Sequence, residues 1–138
     1  MYRLKKFLFA VMMGGFCAAL WGHPVFAEEG FMDVSVTEAN AIIQDTKNNP
    51  DLIILDVRTS EEFNAGHLNN AINLDVNSDK FRDQAGKLDK NKKYLVYCRS
   101  GKRSKTAQGT LKEMGFKEVM NMTGGFLEWE KAGLPFKK

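Results

Sequence analysis

The chain is poor in the residues that cross-link small folds or bind metals. Its 138 residues include only 2 cysteines, 2 histidines and 3 prolines. Two cysteines exclude a disulfide-stapled scaffold, and together with two histidines they leave little material for a zinc site. The length is that of one ordinary domain, so we expect a fold that a single hydrophobic core stabilises.

Long apolar runs and charge of one sign are lacking too. No run reaches the roughly 18 apolar residues that predict a membrane span. Three of the 20 basic residues, Arg3, Lys5 and Lys6, precede the first acidic residue, Glu28, so 17 basic residues face 17 acidic ones from there on. Because nucleic-acid-binding domains need a basic excess to neutralise phosphates, we predict no nucleic acid partner.

The first 27 residues have the organisation of a secretory signal peptide. A basic start is followed by an apolar stretch from Phe7 to Trp21, and Val25 and Ala27 place small residues at the positions that signal peptidase recognises before Glu28. We therefore predict residues 1–27 as a signal peptide cleaved after Ala27. The mature domain, residues 28–138, is then expected in a bacterial periplasm, with no stable membrane association.

Two alternatives to cleavage after Ala27 are an uncleaved anchor and a lipoprotein. The apolar stretch from Phe7 to Trp21 is short for a hydrocarbon core about 30 Å thick, which disfavours an anchor. Gly14-Gly15-Phe16 precede Cys17 where the lipobox of lipoproteins has Leu and small residues, which disfavours lipidation. Cleavage leaves Cys98 as the single cysteine in an oxidising compartment, where such a residue is either buried and inert or reactive.

Strand and helix patterns alternate along the mature chain, which predicts a three-layer α/β domain. Its mainly parallel central sheet has about five strands and is flanked by helices. The continuous apolar runs at 52–55 and 94–97 are typical of strands that are buried on both faces. Weaker strands are predicted at 32–34, 71–74 and 119–120, and helices at 35–45, 59–66, 78–86, 104–114 and 126–132.

The segment that follows the strand at 94–97 contains the strongest chemical signal. Cys98 comes directly after the strand, at the edge of the sheet where α/β proteins bind ligands, and a helix is predicted from about Ser104. Gly101 permits the loop between them to turn its amides inward as an anion-binding nest, with the positive end of the helix directed at the same place. Four cations also lie here: Arg99, Lys102, Arg103 and Lys105.

These surroundings favour a thiolate at Cys98. A free cysteine has a pKa of about 8.5, and helix N-termini with nearby cations lower it to about 3.5–7.5. The alternative is that Cys98 is a small core residue and that the cations form a solvated face. Basic residues at a helix N-terminus oppose the helix dipole, so their presence is better explained by a bound anion.

Three ordered motifs stand out in the chain: DVRTSEEFNAGHLNNAINLD at 56–75, CRSGKRS at 98–104 and NMTGGFLEWEKAGLPF at 121–136. Together they resemble the motifs of the rhodanese family of sulfurtransferases. The resemblance spans about residues 34–136, and the small secreted single-domain form resembles the phage-shock type of the family. It implies a rhodanese-like domain at 28–138.

In rhodaneses the loop cysteine accepts a sulfane sulfur and holds it as a persulfide. The resemblance thus implies that Cys98 is the catalytic residue, that thiosulfate or a related anion is the donor, and that cyanide, a thiol or a protein is the acceptor. No metal or organic cofactor is required. The implied substrate-binding residues are those of the loop, together with the arginine of the Asp-Val-Arg motif: Arg58, Arg99, Ser100, Gly101, Lys102 and Arg103.

Two side chains have competing interpretations. Arg58 is implied as a substrate contact, but an ion pair with Asp56 or Glu62 is an equal alternative. His67 suggests a Cys–His dyad, yet Gly66-His67 belongs to the structural signature of the family, which favours a structural role.

Two other functions are weighed against sulfur transfer. Related phosphatases and arsenate reductases place five residues between Cys and Arg so that a tetrahedral oxyanion fits, whereas four residues separate Cys98 from Arg103 here. The loop is one residue short, which disfavours phosphatase activity. A persulfide carrier with little turnover has the same motifs as an enzyme and remains the main alternative.

Overall fold

The computed structural model describes residues 30–138 of the chain. The predicted signal peptide and its cleavage site lie outside these residues. Strands and helices alternate through the described part. The strands are β1 (Phe31–Val34), β2 (Ile53–Asp56), β3 (Ile72–Asn73), β4 (Lys93–Tyr97) and β5 (Glu118–Met122). The helices are α1 (Val36–Gln44), α2 (Ser60–Ala65), α3 (Phe81–Ala85), α4 (Lys102–Glu113) and α5 (Gly125–Lys131).

The five strands form one sheet in the order β1-β5-β4-β2-β3, and every pair of neighbours is parallel. The predicted α/β class with a parallel sheet of about five strands is confirmed. Strand β4 lies at the centre and pairs with β2 on one side and β5 on the other. Because the carboxyl ends of parallel strands share one edge, the loops after β2, β4 and β5 meet there.

Two hydrophobic clusters cover the two faces of the sheet. On one face, side chains of α3 and α4, including Phe81 and Leu111, pack against Tyr94 and Val96 of β4. On the other face, Trp129 of α5 packs with residues of α1 and the alternate side chains of β4. Strand β4 is thus buried on both sides, as its apolar sequence predicts.

Capping residues fix the first turns of α1 and α2. The Ser35 hydroxyl accepts a hydrogen bond from the Glu38 amide at 3.1 Å. Thr59 and Glu62 form a reciprocal capping box at the start of α2. The spacing of these residues predicts both caps, since a hydroxyl residue followed three positions later by Glu can satisfy the free amides of a first turn.

Two helices differ in extent from their sequence-based predictions. Helix α3 is shorter than the predicted 78–86 and has no side-chain cap at its N-terminus. Helix α4 begins at Lys102, two residues before the predicted start, because Gly101 takes a left-handed conformation with φ of 100°. This earlier start brings the first turn of α4 closer to Cys98 along the chain.

Within residues 30–138, none of the helices combines the length and the apolar character needed to cross a bilayer.

Candidate active site

Cys98 lies directly after β4 and is almost fully buried, with 1% of its surface exposed. Two donors converge on its sulfur. The Gly101 amide donates to Sγ at 3.1 Å, and the Ser104 hydroxyl donates to Sγ at 3.4 Å. The loop therefore has its donors directed at one atom, as predicted for an anion-binding nest.

The hydrogen bonds around Sγ change the acidity of the thiol. Burial by itself raises the pKa of Cys98, but hydrogen bonds from the Ser104 hydroxyl and from the amides of Ser104, Gly101 and Ser100 outweigh it and lower the pKa below its ordinary value. Donors that face a sulfur stabilise its anion more than its neutral form. The direction of this shift agrees with the thiolate expected from the sequence.

The cations of the loop fall into two groups. Arg99 and Lys102 are exposed. Arg103 is half-buried and forms a two-point ion pair with Glu62 of α2, with N–O distances of 2.8 and 2.9 Å. Lys105 pairs with Asp33 at 3.0 Å. Among residues 30–138, Arg103 and Lys105 are thus held by carboxylates, whereas Arg99 and Lys102 are the exposed loop cations without a carboxylate partner.

The start of α5 holds the backbone of the cysteine loop from behind. The Phe126 amide donates to the Cys98 carbonyl at 2.8 Å, and the Leu127 amide donates to the Arg99 carbonyl at 3.0 Å. Gly125 has φ of 58°, and a Cβ on it would lie 2.5 Å from each of these two carbonyl oxygens. With the carbonyls turned towards α5, the amides that follow in the loop are free to face Sγ.

Arg58 is buried and satisfied within the protein. Its guanidinium donates to both carboxylate oxygens of Asp56, at 2.6–3.1 Å, and to the Gly66 carbonyl at 2.6 Å. It also lies over the ring of Phe126, 4.4 Å from the centroid. This geometry favours the second interpretation of Arg58, an ion pair with Asp56 that braces the loop after β2, over the substrate contact that the family resemblance implies.

His67 makes the contacts of a structural residue. Its Nδ1 lies 2.8 Å from the Phe63 carbonyl, and its ring stacks on that of Phe63 with centroids 3.7 Å apart. Its backbone pairs with that of Lys137 near the end of the chain. These contacts account for the histidine of the Gly-His signature without a catalytic role.

Metal-binding geometry is likewise not found among residues 30–138, where no three His, Cys, Asp or Glu side chains converge as ligands.

Three residues of the site are not indicated by the sequence alone. The sequence marks Ser104 only as a helix start, although its hydroxyl reaches Sγ. It marks Glu62 as a helix cap but not as the partner of Arg103. Gly125 is part of a motif without an assigned contact. A serine in the first turn of a helix that follows a cysteine loop is the one local signal that could have indicated its role.

An α/β domain with an acidic thiol in an amide-lined loop, at the carboxyl end of its central strand, has the architecture of a cysteine-dependent transfer protein. Comparison with known families makes the class specific. The family model described as Rhodanese-like domain matches residues 35–132. The chain belongs to this family.

The curated relatives of the chain are named for a hydroxylase activity. Proteins named tRNA uridine(34) hydroxylase from Enterobacter sp. (strain 638) and from Escherichia coli (strain K12 / DH10B) are 32% identical to the chain over 114 residues. The match covers 75% of this chain but 31% of each relative. The chain thus spans about a third of the length of these relatives.

Solved structures with the same fold match over most of their own length. A rhodanese-related protein from Thermoplasma volcanium is 27% identical, with a TM-score of 0.65, and the match covers 77% of this chain and 97% of that one. A rhodanese-like domain protein from Staphylococcus aureus is 28% identical, with a TM-score of 0.65, covering 78% and 99%. The part of this chain that matches therefore corresponds to nearly the whole of each of these two solved chains.

Proposed function

We propose that the protein is a sulfurtransferase that moves a sulfane sulfur from an anionic donor to an acceptor through a persulfide on Cys98. One observation carries the proposal: the Gly101 amide and the Ser104 hydroxyl both donate to Sγ at the floor of a short loop. Such a site stabilises a sulfur anion and has donors for a second sulfur bound to it. Membership of the rhodanese-like family supports this reaction class.

In the first half-reaction the Cys98 thiolate attacks the outer sulfur of thiosulfate. A bond forms between Sγ and that sulfur, the S–S bond of thiosulfate breaks, and sulfite leaves with the electron pair. The enzyme is left as a persulfide anion. The thiolate is available for this attack because the donors around Sγ lower its pKa.

In the second half-reaction an acceptor nucleophile attacks the outer sulfur of the persulfide. Cyanide leaves as thiocyanate, a thiolate leaves as its own persulfide, and the electron pair of the broken bond returns to Cys98. Covalent catalysis of this kind divides one transfer into two easier steps. Neither step needs a metal or an organic cofactor, and we assign attraction of the donor to the exposed cations Arg99 and Lys102.

Phosphate chemistry is disfavoured on two grounds. The loop is one residue shorter than the phosphatase pattern. In addition, the guanidinium of Arg103, in the first turn of α4, is held by Glu62 rather than free to bind an oxyanion. Hydrolysis of p-nitrophenyl phosphate without thiocyanate formation would reverse this ranking.

Persulfide carriage is the second candidate function, and the burial of Cys98 favours it. At 1% exposure, the sulfur is shielded from water and from bulky thiols. A persulfide held there would be long-lived until a partner protein drew it out. A stable persulfide that discharges to one protein, with slow turnover of thiosulfate and cyanide, would distinguish a carrier from an enzyme.

Hydroxylation of tRNA, the activity named for the longer relatives, is not carried over to this chain. The chain matches 31% of those proteins, and residues 28–138 have as many acidic as basic residues. A surface without a basic excess is poorly suited to binding a polyanion.

We propose instead that the protein acts on small sulfur compounds in the periplasm, after cleavage of the signal peptide behind Ala27. N-terminal sequencing of the protein in a periplasmic extract tests this localisation and the cleavage site.

The decisive experiment measures thiocyanate formation from thiosulfate and cyanide by the purified protein and by a Cys98→Ala variant. We expect the variant to lose activity by about a thousandfold or more, since removal of a covalent nucleophile abolishes the intermediate. Mass spectrometry should show a gain of one sulfur atom on the wild-type protein after thiosulfate, and none on the variant.

A Thr106→Ala variant is the matched control, because Thr106 is an exposed side chain of α4 that is not part of the proposed site. It should retain activity within about threefold. Equal activity of the Cys98→Ala variant and the wild type, with both folded by circular dichroism, would refute the proposal.

A further inference from the structure

The ion pair between Glu62 and Arg103 joins α2 to the cysteine loop, and the mechanism above does not use it. Both guanidinium nitrogens face the carboxylate, at 2.8 and 2.9 Å, and about a quarter of each side chain is exposed. A two-point pair of this kind fixes orientation as well as distance. The pair therefore determines where the guanidinium of Arg103 lies.

Glu62 is itself held in place. Its carboxylate accepts hydrogen bonds from the Thr59 amide and hydroxyl, at 3.4 and 3.2 Å, as part of the capping box of α2. The hydrogen bonds from Arg103 outweigh burial and lower the pKa of Glu62 to about 2. Glu62 is thus held by the capping box and charged at neutral pH.

Arg103 lies in the first turn of α4 and directly precedes Ser104, whose hydroxyl is 3.4 Å from Sγ of Cys98. The hydrogen bonds that Arg103 donates to Glu62 raise the pKa of Arg103 against the opposing effect of burial, and the negative charges of Glu62, Cys98 and Asp75 add to this rise. The Cys98 thiolate is therefore a second anion near the guanidinium of Arg103. A free guanidinium beside an amide-lined loop is an arrangement suited to binding tetrahedral oxyanions.

We propose that Glu62 is a positioning residue that withholds the guanidinium of Arg103 from the loop, so that the loop holds a sulfur anion and does not bind sulfate or phosphate as a competing ligand. The selectivity for sulfur chemistry rests on the proposed function. The effect of Glu62 on oxyanion binding is independent of the proposed function, because it concerns only whether the positive charge of Arg103 faces Sγ.

The test uses the full chain and a Glu62→Gln variant. Glutamine also satisfies the capping box, so α2 keeps its cap while the charge that holds Arg103 is lost. Glu61→Gln is the matched control, because Glu61 is the exposed neighbour in the same helix turn. Two quantities are measured on each protein: the pH dependence of iodoacetamide alkylation at Cys98, and its protection by sodium sulfate.

We expect Glu62→Gln to lower the apparent pKa of Cys98 by about 0.5 or more, because the released guanidinium is free to turn towards the thiolate. Sulfate should protect Cys98 of this variant at a concentration at least about fivefold lower than for the wild type. Glu61→Gln should match the wild type in both measurements.

The double variant Glu62→Gln/Arg103→Gln separates positioning from a general loss of negative charge. If the released guanidinium is the cause, the double variant loses the added sulfate protection. Equal protection constants for wild type and Glu62→Gln, or added protection that persists in the double variant, would overturn the proposal. Neither readout requires thiosulfate turnover, so both measurements test the role of Glu62 even in a protein without sulfurtransferase activity.

Discussion

The loop after β2 and the loop after β4 leave adjacent parallel strands at the same edge of the sheet, yet their polar groups are arranged in opposite ways. After β2, the buried guanidinium of Arg58 donates hydrogen bonds to the Asp56 carboxylate and to the Gly66 carbonyl. After β4, the Gly101 amide and the Ser104 hydroxyl are both directed at Sγ of Cys98.

The comparison separates two uses of buried polar groups. Donors and acceptors that satisfy one another stabilise a particular fold, and removing one of them exposes the cost of burying the other. Donors that converge on a single ionisable atom instead set the reactivity of that atom. We therefore expect damage to the first loop to appear as lost stability, and damage to the second to appear as altered thiol chemistry.

The largest effect is expected from Arg58→Met. Asp56 has no exposed surface, so loss of its partner leaves a buried carboxylate uncompensated. We predict a loss of about 3–5 kcal/mol in the free energy of unfolding, measured by urea denaturation. Arg82→Met is the control: it breaks an exposed pair with Glu113 and should cost less than about 1 kcal/mol.

The Arg58→Met variant also tests the contrast drawn between the loop after β2 and the loop after β4. A stable Arg58→Met protein with a raised KM for thiosulfate would assign Arg58 to the substrate, and the two loops would then both belong to the active site.

A smaller loss is expected from Gly125→Ala, which acts on the support of the cysteine loop. The new Cβ would lie 2.5 Å from the Cys98 and Arg99 carbonyls, so the loop or α5 must move. We predict about 2–3 kcal/mol of destabilisation by urea denaturation, together with slower alkylation of Cys98 at neutral pH.

Gly133→Ala isolates the contribution of backbone strain to the effect at Gly125. Gly133 has a similar φ of 70°, but nothing lies within 4 Å of a Cβ placed on it. It should cost only about 1–2 kcal/mol and leave the thiol unchanged. Equal effects of the two variants would show that contact with the loop carbonyls is unimportant.

Ser104→Ala should raise the pKa of Cys98 by about one unit, because the hydroxyl donates to the thiolate form. The pKa of Cys98 is lowered in the folded protein, so the bonds to the thiolate stabilise the fold above the ordinary thiol pKa, and this contribution is lost as the pH falls through the lowered value.

Iodoacetamide alkylation against pH measures the change. The variant should react more slowly than the wild type near neutral pH, and the two rates should converge once both thiols are ionised. Thr106→Ala, on the same helix but exposed, is the control. If the alkylation of Ser104→Ala depends on pH as in the wild type, the loop amides alone lower the pKa of Cys98.

The smallest effect is expected from Lys102→Gln, since Lys102 is exposed and screened by solvent. We predict a rise of about two- to threefold in KM for thiosulfate at low salt, which disappears as the ionic strength increases. Lys90→Gln, before β4 at the opposite edge of the sheet, should leave KM unchanged. A salt-independent loss at Lys102 would indicate direct binding rather than attraction.

Local patterns are sufficient to predict most of the fold. The apolar runs of β2 and β4, and the capping residues of α1 and α2, depend on neighbours along the chain, so their positions can be predicted. The start of α4 cannot, because it depends on the left-handed conformation of Gly101 in the folded loop. Helix α3 lacks a capping residue, and the sequence predicts it too long for that reason.

The sequence predicts only those features of the candidate site that lie close together along the chain. The position of Cys98 after a buried strand and the neighbouring glycine and cations indicate the loop. The partners of the loop come from distant parts of the chain: Glu62 binds Arg103, and Gly125 approaches the Cys98 carbonyl. Such pairings follow from the topology of the sheet, which no short stretch of sequence encodes.

The attachment of the cysteine loop to α5 gives the end of the chain an influence on the sulfur. The Trp129 indole of α5 donates to the Pro135 carbonyl at 3.0 Å, and the Lys137 backbone pairs with that of His67. The first of these contacts joins the tail to α5, and the second joins it to the segment after α2. We therefore expect fusions or deletions at the C-terminus to change the reactivity of Cys98, a residue with which the tail makes no contact in these hydrogen bonds.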